Sequence, residues 1–145
     1  MKVFDFDNTL YRGESSLDFS LYMIRTNKKI LLYLPVILTN TVKYKLCLVD
    51  REEPDDLIIT AGPSFLLDGI RDRLGTQNII ASEVDLDKRE ITHFNFKDNK
   101  VKKFRELYGD AKIDSFYTDS YNDRAVMDIS EKVFLVKNGK IRRIK

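Results

Sequence analysis

Two aspartates, Asp5 and Asp7, interrupt the apolar opening "MKVFDFDNTL". An ionised carboxylate is prohibitively costly to bury without a partner, so the end of this stretch has to meet positive charge. Three later stretches carry side chains of matching type. Thr60 closes "DLIIT", Lys100 follows "FKDN", and Asp119 and Asp123 flank "SYN". Acids crowded at one point repel, which raises a pKa or calls for a cation. Magnesium suits them, being a hard ion that takes carboxylate oxygens and keeps several waters. Asp5 is expected to attack phosphorus as a carboxylate nucleophile, splitting one hard displacement into two easier ones. Asp7 is placed to protonate the leaving oxygen and then to take a proton from water. Thr60 and Lys100 supply a hydroxyl donor and a fixed positive charge for phosphoryl oxygens. The expected metal ligands are Asp5, Asp7, Asp119 and Asp123, with Asn122 orienting these carboxylates by hydrogen bonding.

The same residue types have other uses. A calcium loop opening at Asp5 needs glycine at its sixth position and glutamate at its twelfth; Leu10 and Ser16 stand there. Asp119 or Asp123 is also a preferred helix N-cap. Lys97 competes with Lys100, which the spacing in "DNKVKKF" favours. His93, the only histidine, sits in "ITHF" with no obvious catalytic acid or nucleophile beside it and reads as structural.

Converging these stretches takes a sheet whose strands end together. Short β-branched runs alternate with helical patterns, the mark of a parallel sheet covered by helices on both faces. Strands are expected at Lys2 to Phe6, Asp56 to Thr60, Asn78 to Ser82, Ile113 to Thr118 and Lys132 to Val136. Helices are expected at Ser16 to Arg25, Lys29 to about Leu46, Ser64 to Leu74, Asn99 to Tyr108 and Asn122 to Ile129. Two hairpins break the alternation, "EVDLDKREITHF" and "VFLVKNGKIRRI"; the second pivots on Asn138-Gly139, a type I′ turn signal. In open parallel sheets, functional groups collect beyond the carboxyl ends of the strands, where Asp5, Asp7, Thr60 and Asp119 all fall.

In this order, "DFDNTL", "IITAGP", "DNKVKKF" and "TDSYND" resemble the four motifs of the haloacid dehalogenase superfamily, and together they span Asp5 to Asp123. The chain is similar to its phosphoserine-phosphatase-like branch, whose helical cap follows the first motif. The resemblance implies a Rossmann-like α/β core, residues 1–14 and 51–145, with a short helical cap at 15–50. It implies a Mg²⁺-dependent phosphatase that hydrolyses a small phosphomonoester through an aspartyl-phosphate. Asp7 is the residue that the superfamily's dehalogenases lack. Thr9 and Gly62, in the first two motifs, are expected phosphate contacts, and Glu14 falls where the branch places a glutamate that reads the substrate amine. The insertion has room for about two helices where the branch carries several. Two other functions suit the same residues: a catalytically impaired phosphate-binding or scaffold domain, and a phosphotransferase that hands the group to an acceptor other than water.

The totals narrow the partners. Twenty-five Lys and Arg against 23 Asp and Glu leave a net charge of +2, so charge announces no nucleic acid. The basic tail "KNGKIRRIK" reads as a solvated edge strand protected by its charges. The longest apolar run, "ILLYLPVIL", is far short of the roughly 20 residues a bilayer demands, and membrane contact is not expected. A single cysteine, Cys47, makes no internal disulfide and suits a reducing cytoplasm, and no signal segment is expected at the start. The expected partner is a small phosphorylated metabolite, with closure by a second copy of the chain left open.

Overall fold

The computed structural model describes residues 1–15, 17–18, 21, 45–46, 55–68, 74–85, 87–88 and 90–145. In chain order the strands are β1 (Lys2–Phe4), β2 (Tyr11–Arg12), β3 (Lys45–Leu46) and β4 (Leu57–Pro63). Helix α1 (Ser64–Asp68), β5 (Asn78–Asp85), β6 (Glu90–His93) and α2 (Asp98–Tyr108) follow. The chain ends with β7 (Ile113–Thr118), a 3₁₀ turn at Tyr121–Asp123, α3 (Arg124–Ile129), β8 (Ser130–Lys137) and β9 (Lys140–Arg143). Seven strands form one sheet in the order β6-β5-β4-β1-β7-β8-β9. The inner five are parallel and the two edges are antiparallel hairpin strands. This is the α/β sheet that the alternation of strand and helix patterns predicts.

Strand side chains alternate between faces with a period of two, and both faces here are apolar. Val3, Leu57, Ile59, Ile80, Phe116 and Val133 lie on one face, packed with Phe104 of α2 and Val126 of α3. Phe4, Ile58 and Ala81 lie on the other, packed with Leu67 of α1 and with Phe6 and Leu10 from the loop after β1. Burial of each such side chain contributes about 1.5–3 kcal/mol. A central parallel strand covered on both faces has to read as continuously apolar, which leaves its carboxyl end as the place for charge.

Several boundaries differ from expectation, three of them for a plain local reason. β1 ends at Phe4 because the Phe6 carbonyl collects the backbone N–H groups of Thr9, Leu10 and Tyr11, curling the chain just after Asp5. β4 runs on to Pro63 through a bulge: it advances four residues from Ile59 to Pro63 while β5 advances two, from Ile80 to Ser82. The helix expected over Lys29 to about Leu46 does not reach its end, because Lys45–Leu46 form a strand antiparallel to Tyr11–Arg12. The backbone polar groups of Tyr11–Arg12 need partners, and the returning chain supplies them. Ser15, Leu17, Asp18 and Leu21 are helical; otherwise the two expected cap helices, and residues 69–73 of the expected third, lie outside the described residues. Among the described residues no helix is long and apolar enough to cross a membrane. Strand β9 is exposed throughout, as its charges lead one to expect, and the turn before it carries positive φ at both Asn138 and Gly139.

Candidate active site

Asp5 stands one residue past the end of β1, its N–H donating to the Tyr117 carbonyl at 2.8 Å, so the central strand fixes its backbone. Lys100 comes from the first turn of α2 and is 2% exposed. Its Nζ donates to Asp5 Oδ1 at 3.0 Å and to Asp123 Oδ1 at 2.5 Å. The second oxygen of Asp123 accepts from Thr118 Oγ1 at 2.8 Å, where β7 ends. Asp123 occupies the N-cap position of α3, yet its side chain caps nothing. Its carboxylate is turned inward to the lysine.

Beside this triad lies a second group. Asp7 Oδ1 accepts from the backbone N–H of Ser15 at 2.7 Å. A β-carbon on Gly62 would come within 3.3 Å of Thr60 Oγ1, 3.5 Å of Ser15 Oγ and 3.8 Å of Asp7 Oδ2. The missing side chain thus keeps open a small space onto which three oxygens face. The bulge in β4 creates that space, and buried neighbours satisfy its backbone. Asn95 Nδ2 donates to the Thr60 carbonyl at 2.7 Å and the Ile80 carbonyl at 3.2 Å, while Ser82 Oγ donates to the Ala61 carbonyl at 2.7 Å. Buried backbone groups require such partners.

Charge is unevenly balanced here. Burial pushes the Asp5 carboxyl up to about 8 despite Lys100, with Asp123 and Asp119 adding repulsion. Burial also holds Asp7 and Asp119 above the ordinary carboxylate range. Glu14 is raised by partial burial and by Asp7 and Asp119. For Lys100, burial pulls downward, but Asp5 and Asp123 together carry it above its usual value.

Several expected residues meet here and others stand apart. Asp5, Lys100 and Asp123 touch, and Asp7, Thr60 and Gly62 cluster beside them. Asp119 is half-buried on the rim. Lys97 lies over the Phe96 ring at 5.4 Å, so Lys100 is the lysine at Asp5. Glu14 is exposed and accepts from Asn8 Nδ2 at 2.8 Å. Thr9 is fully buried, and its hydroxyl has no partner among the described residues. Asn122 is exposed; the hydrogen bond that holds Asp123 comes from Thr118 instead. His93 sits on β6 opposite Glu83. Sequence reasoning missed Thr118, Asn95, Ser82 and Ser15.

Raised carboxylates with acidic neighbours are the condition that a divalent cation relieves, and oxygen donors of the right kind are present. The residues therefore fit magnesium in charge and donor type. Among the described residues, no three acidic or imidazole groups stand close enough together to ligate a metal. Lys100 fills the space between Asp5 and Asp123.

Fold and charge cluster together define a mostly parallel α/β protein with its polar groups at the carboxyl ends of the central strands. A crystal structure of a protein of unknown function from Bordetella pertussis Tohama I matches with TM-score 0.67 and 16% identity, over 92% of this chain and 87% of that one. A crystal structure of phosphoserine phosphatase in apo form matches with TM-score 0.50 and 14% identity, over 90% of this chain and 82% of that one. At these identities the likeness concerns the fold. No family model and no curated protein matches the sequence.

Proposed function

We propose that the chain is a Mg²⁺-dependent phosphatase that hydrolyses a small phosphomonoester through an aspartyl-phosphate on Asp5. The observation that carries this reading is the buried ammonium of Lys100 bonded to both Asp5 and Asp123 at the carboxyl end of the central strand. Buried ion sets of this kind are weak contributors to stability, and perturbed acids in clefts point to chemistry.

In the first step, a carboxylate oxygen of Asp5 forms a bond to phosphorus while the bond to the ester oxygen breaks. Asp7 gives a proton to that departing oxygen. In the second step, Asp7 takes a proton from water, whose oxygen attacks phosphorus as the Asp5–phosphorus bond breaks. Thr60 Oγ1 and the Lys100 ammonium face the phosphoryl oxygens, and Thr118 holds Asp123 so that Lys100 stays aimed. Magnesium, held by candidate ligands Asp5, Asp7, Asp119 and Asp123, would neutralise phosphoryl charge and keep Asp5 ionised.

The purified chain, supplied with Mg²⁺, is expected to release phosphate from a generic aryl phosphate, and Asp5→Asn is expected to stop it with the fold intact. Full activity in Asp5→Asn rejects the covalent route. One observation favours a second reading, a phosphate-binding domain without turnover: Lys100 already bonds both acids, and among the described residues no ligand trio is assembled. That reading expects metal or phosphate binding and no hydrolysis across a broad ester panel. A phosphotransferase would instead phosphorylate added alcohols in competition with water.

A further inference from the structure

Between its pairings Ile59–Ile80 and Pro63–Ser82, β4 carries Thr60, Ala61 and Gly62 where β5 carries Ala81 alone. The ladder cannot serve all the carbonyls of such a bulge, and two buried side chains serve them instead. Asn95, on the loop from β6 to α2, reaches across both strands: its Nδ2 donates to the Thr60 carbonyl at 2.7 Å and to the Ile80 carbonyl at 3.2 Å. Ser82 Oγ accepts the backbone N–H of Asn95 at 3.0 Å and donates to the Ala61 carbonyl at 2.7 Å. Both residues are withdrawn from water.

The consequence falls on the Thr60 hydroxyl. The Ala61 carbonyl and the Gly62 N–H belong to one planar trans peptide unit and point in opposite directions. Pinning the carbonyl to Ser82 therefore turns the N–H the other way, where it donates to Thr60 Oγ1 at 3.0 Å. A hydroxyl that accepts such a bond still has its own hydrogen to give. Among the described residues no acceptor takes that hydrogen, and the hydroxyl borders the space that Gly62 keeps open beside Asp7.

We infer that Asn95 is a positioning residue for phosphate: together with Ser82 it fixes the bulge so that the Thr60 hydroxyl is held as a donor aimed into the cleft. Asn95 itself touches no reacting atom and acts through Thr60. The inference rests on reading the cleft as a phosphate site and holds with or without turnover.

Calorimetric titration of the full chain with inorganic phosphate, Mg²⁺ present, tests this in a double-variant cycle. Thr60→Val removes the hydroxyl and is expected to weaken binding about tenfold, which sets the ceiling for any residue that acts through it. Asn95→Ala is expected to weaken binding about fivefold on its own and less than about twofold in the Thr60→Val background. Ser82→Ala, a smaller truncation, is expected to repeat that pattern and decides the matter if Asn95→Ala does not fold. Thr92→Val, which removes a hydroxyl donor to the Glu83 carbonyl on the neighbouring hairpin, is expected to leave binding unchanged. Unaltered affinity in Asn95→Ala overturns the inference, and so does unaltered affinity in Thr60→Val. Losses that multiply across the cycle overturn it too, since they are what a disturbed Lys100, five residues further on, would give. Phosphate release from an aryl phosphate, measured alongside, separates the two readings. Binding that follows the cycle without hydrolysis sinks the catalytic reading and leaves Asn95 its role, whereas hydrolysis without the coupling sinks that role alone. An unaltered chain that binds no phosphate sinks both.

Discussion

Lys100 and Lys103 stand three residues apart on α2, and both end on two carboxylates. Lys103 is a quarter exposed and pairs with Glu83 at 3.3 Å and Glu106 at 3.8 Å, both in solvent. Lys100 is withdrawn from water and pairs with acids that are withdrawn too. Exposed pairs of the first kind contribute little, because water screens them and two long side chains lose freedom. The second kind carries a desolvation cost that attraction scarcely offsets, so its presence is not explained by stability. What the contrast teaches is where to look for chemistry: at the charge set that the fold keeps at a cost.

The sharpest break of this contrast is Asp5→Asn. If the buried set is the reaction centre, phosphate release is expected to fall by at least about 10³-fold, while Lys103→Ala leaves the rate alone. Next comes Lys100→Met, which strands Asp5 and Asp123 without a counter-ion; chemical denaturation is expected to show a loss of about 3–5 kcal/mol, against no measurable change for Lys103→Ala. Thr118→Val is expected to cost about 1.5–3 kcal/mol, the worth of a hydrogen bond to a charged acceptor. Denaturation midpoints of that variant check this value.

A pH series sharpens the contrast further. Asp5 binds its proton more tightly in the folded chain, up to about 8, than at its ordinary value of 3.8. The folded state therefore holds more protons than the unfolded state between those values, and stability falls as pH rises through them. The contribution is complete below the ordinary value and gone above about 8. Thermal melts of metal-free protein are expected to show that decline, and Mg²⁺ is expected to flatten it. The smallest effect is at Lys97, whose φ of 50° is unfavourable for a residue with a side chain. Lys97→Gly is expected to raise stability by about 1 kcal/mol, measured by denaturant midpoint.

Legibility followed the same division. Asp5, Asp7, Thr60 and Lys100 could be read because acids in an apolar strand, and donors at strand ends, are costly enough to need a reason. Asp123 was read as a metal ligand beside Asp119, and its bond to Lys100 was not foreseen. Thr118 and Asn95 were not readable, since a threonine at a strand end and an asparagine after a hairpin are common everywhere. Their roles arise only when β7 meets the turn after it and when Asn95 reaches the bulge in β4, 35 residues earlier. The bulge itself depends on those distant donors and leaves no local pattern. The five inner strands followed from apolar runs covered on both sides, but their order and register did not. The pairing of Tyr11–Arg12 with Lys45–Leu46 did not, because two-residue strands carry no periodicity.

That short ladder has a consequence for how such a protein can be altered. Where the chain departs after Arg12 and where it comes back at Lys45, the two ends are neighbours across a single strand spacing, roughly 4.8 Å. Any stretch exchanged between them has to keep Ser15, whose backbone N–H holds Asp7 Oδ1 at 2.7 Å, for Asp7 to keep its place.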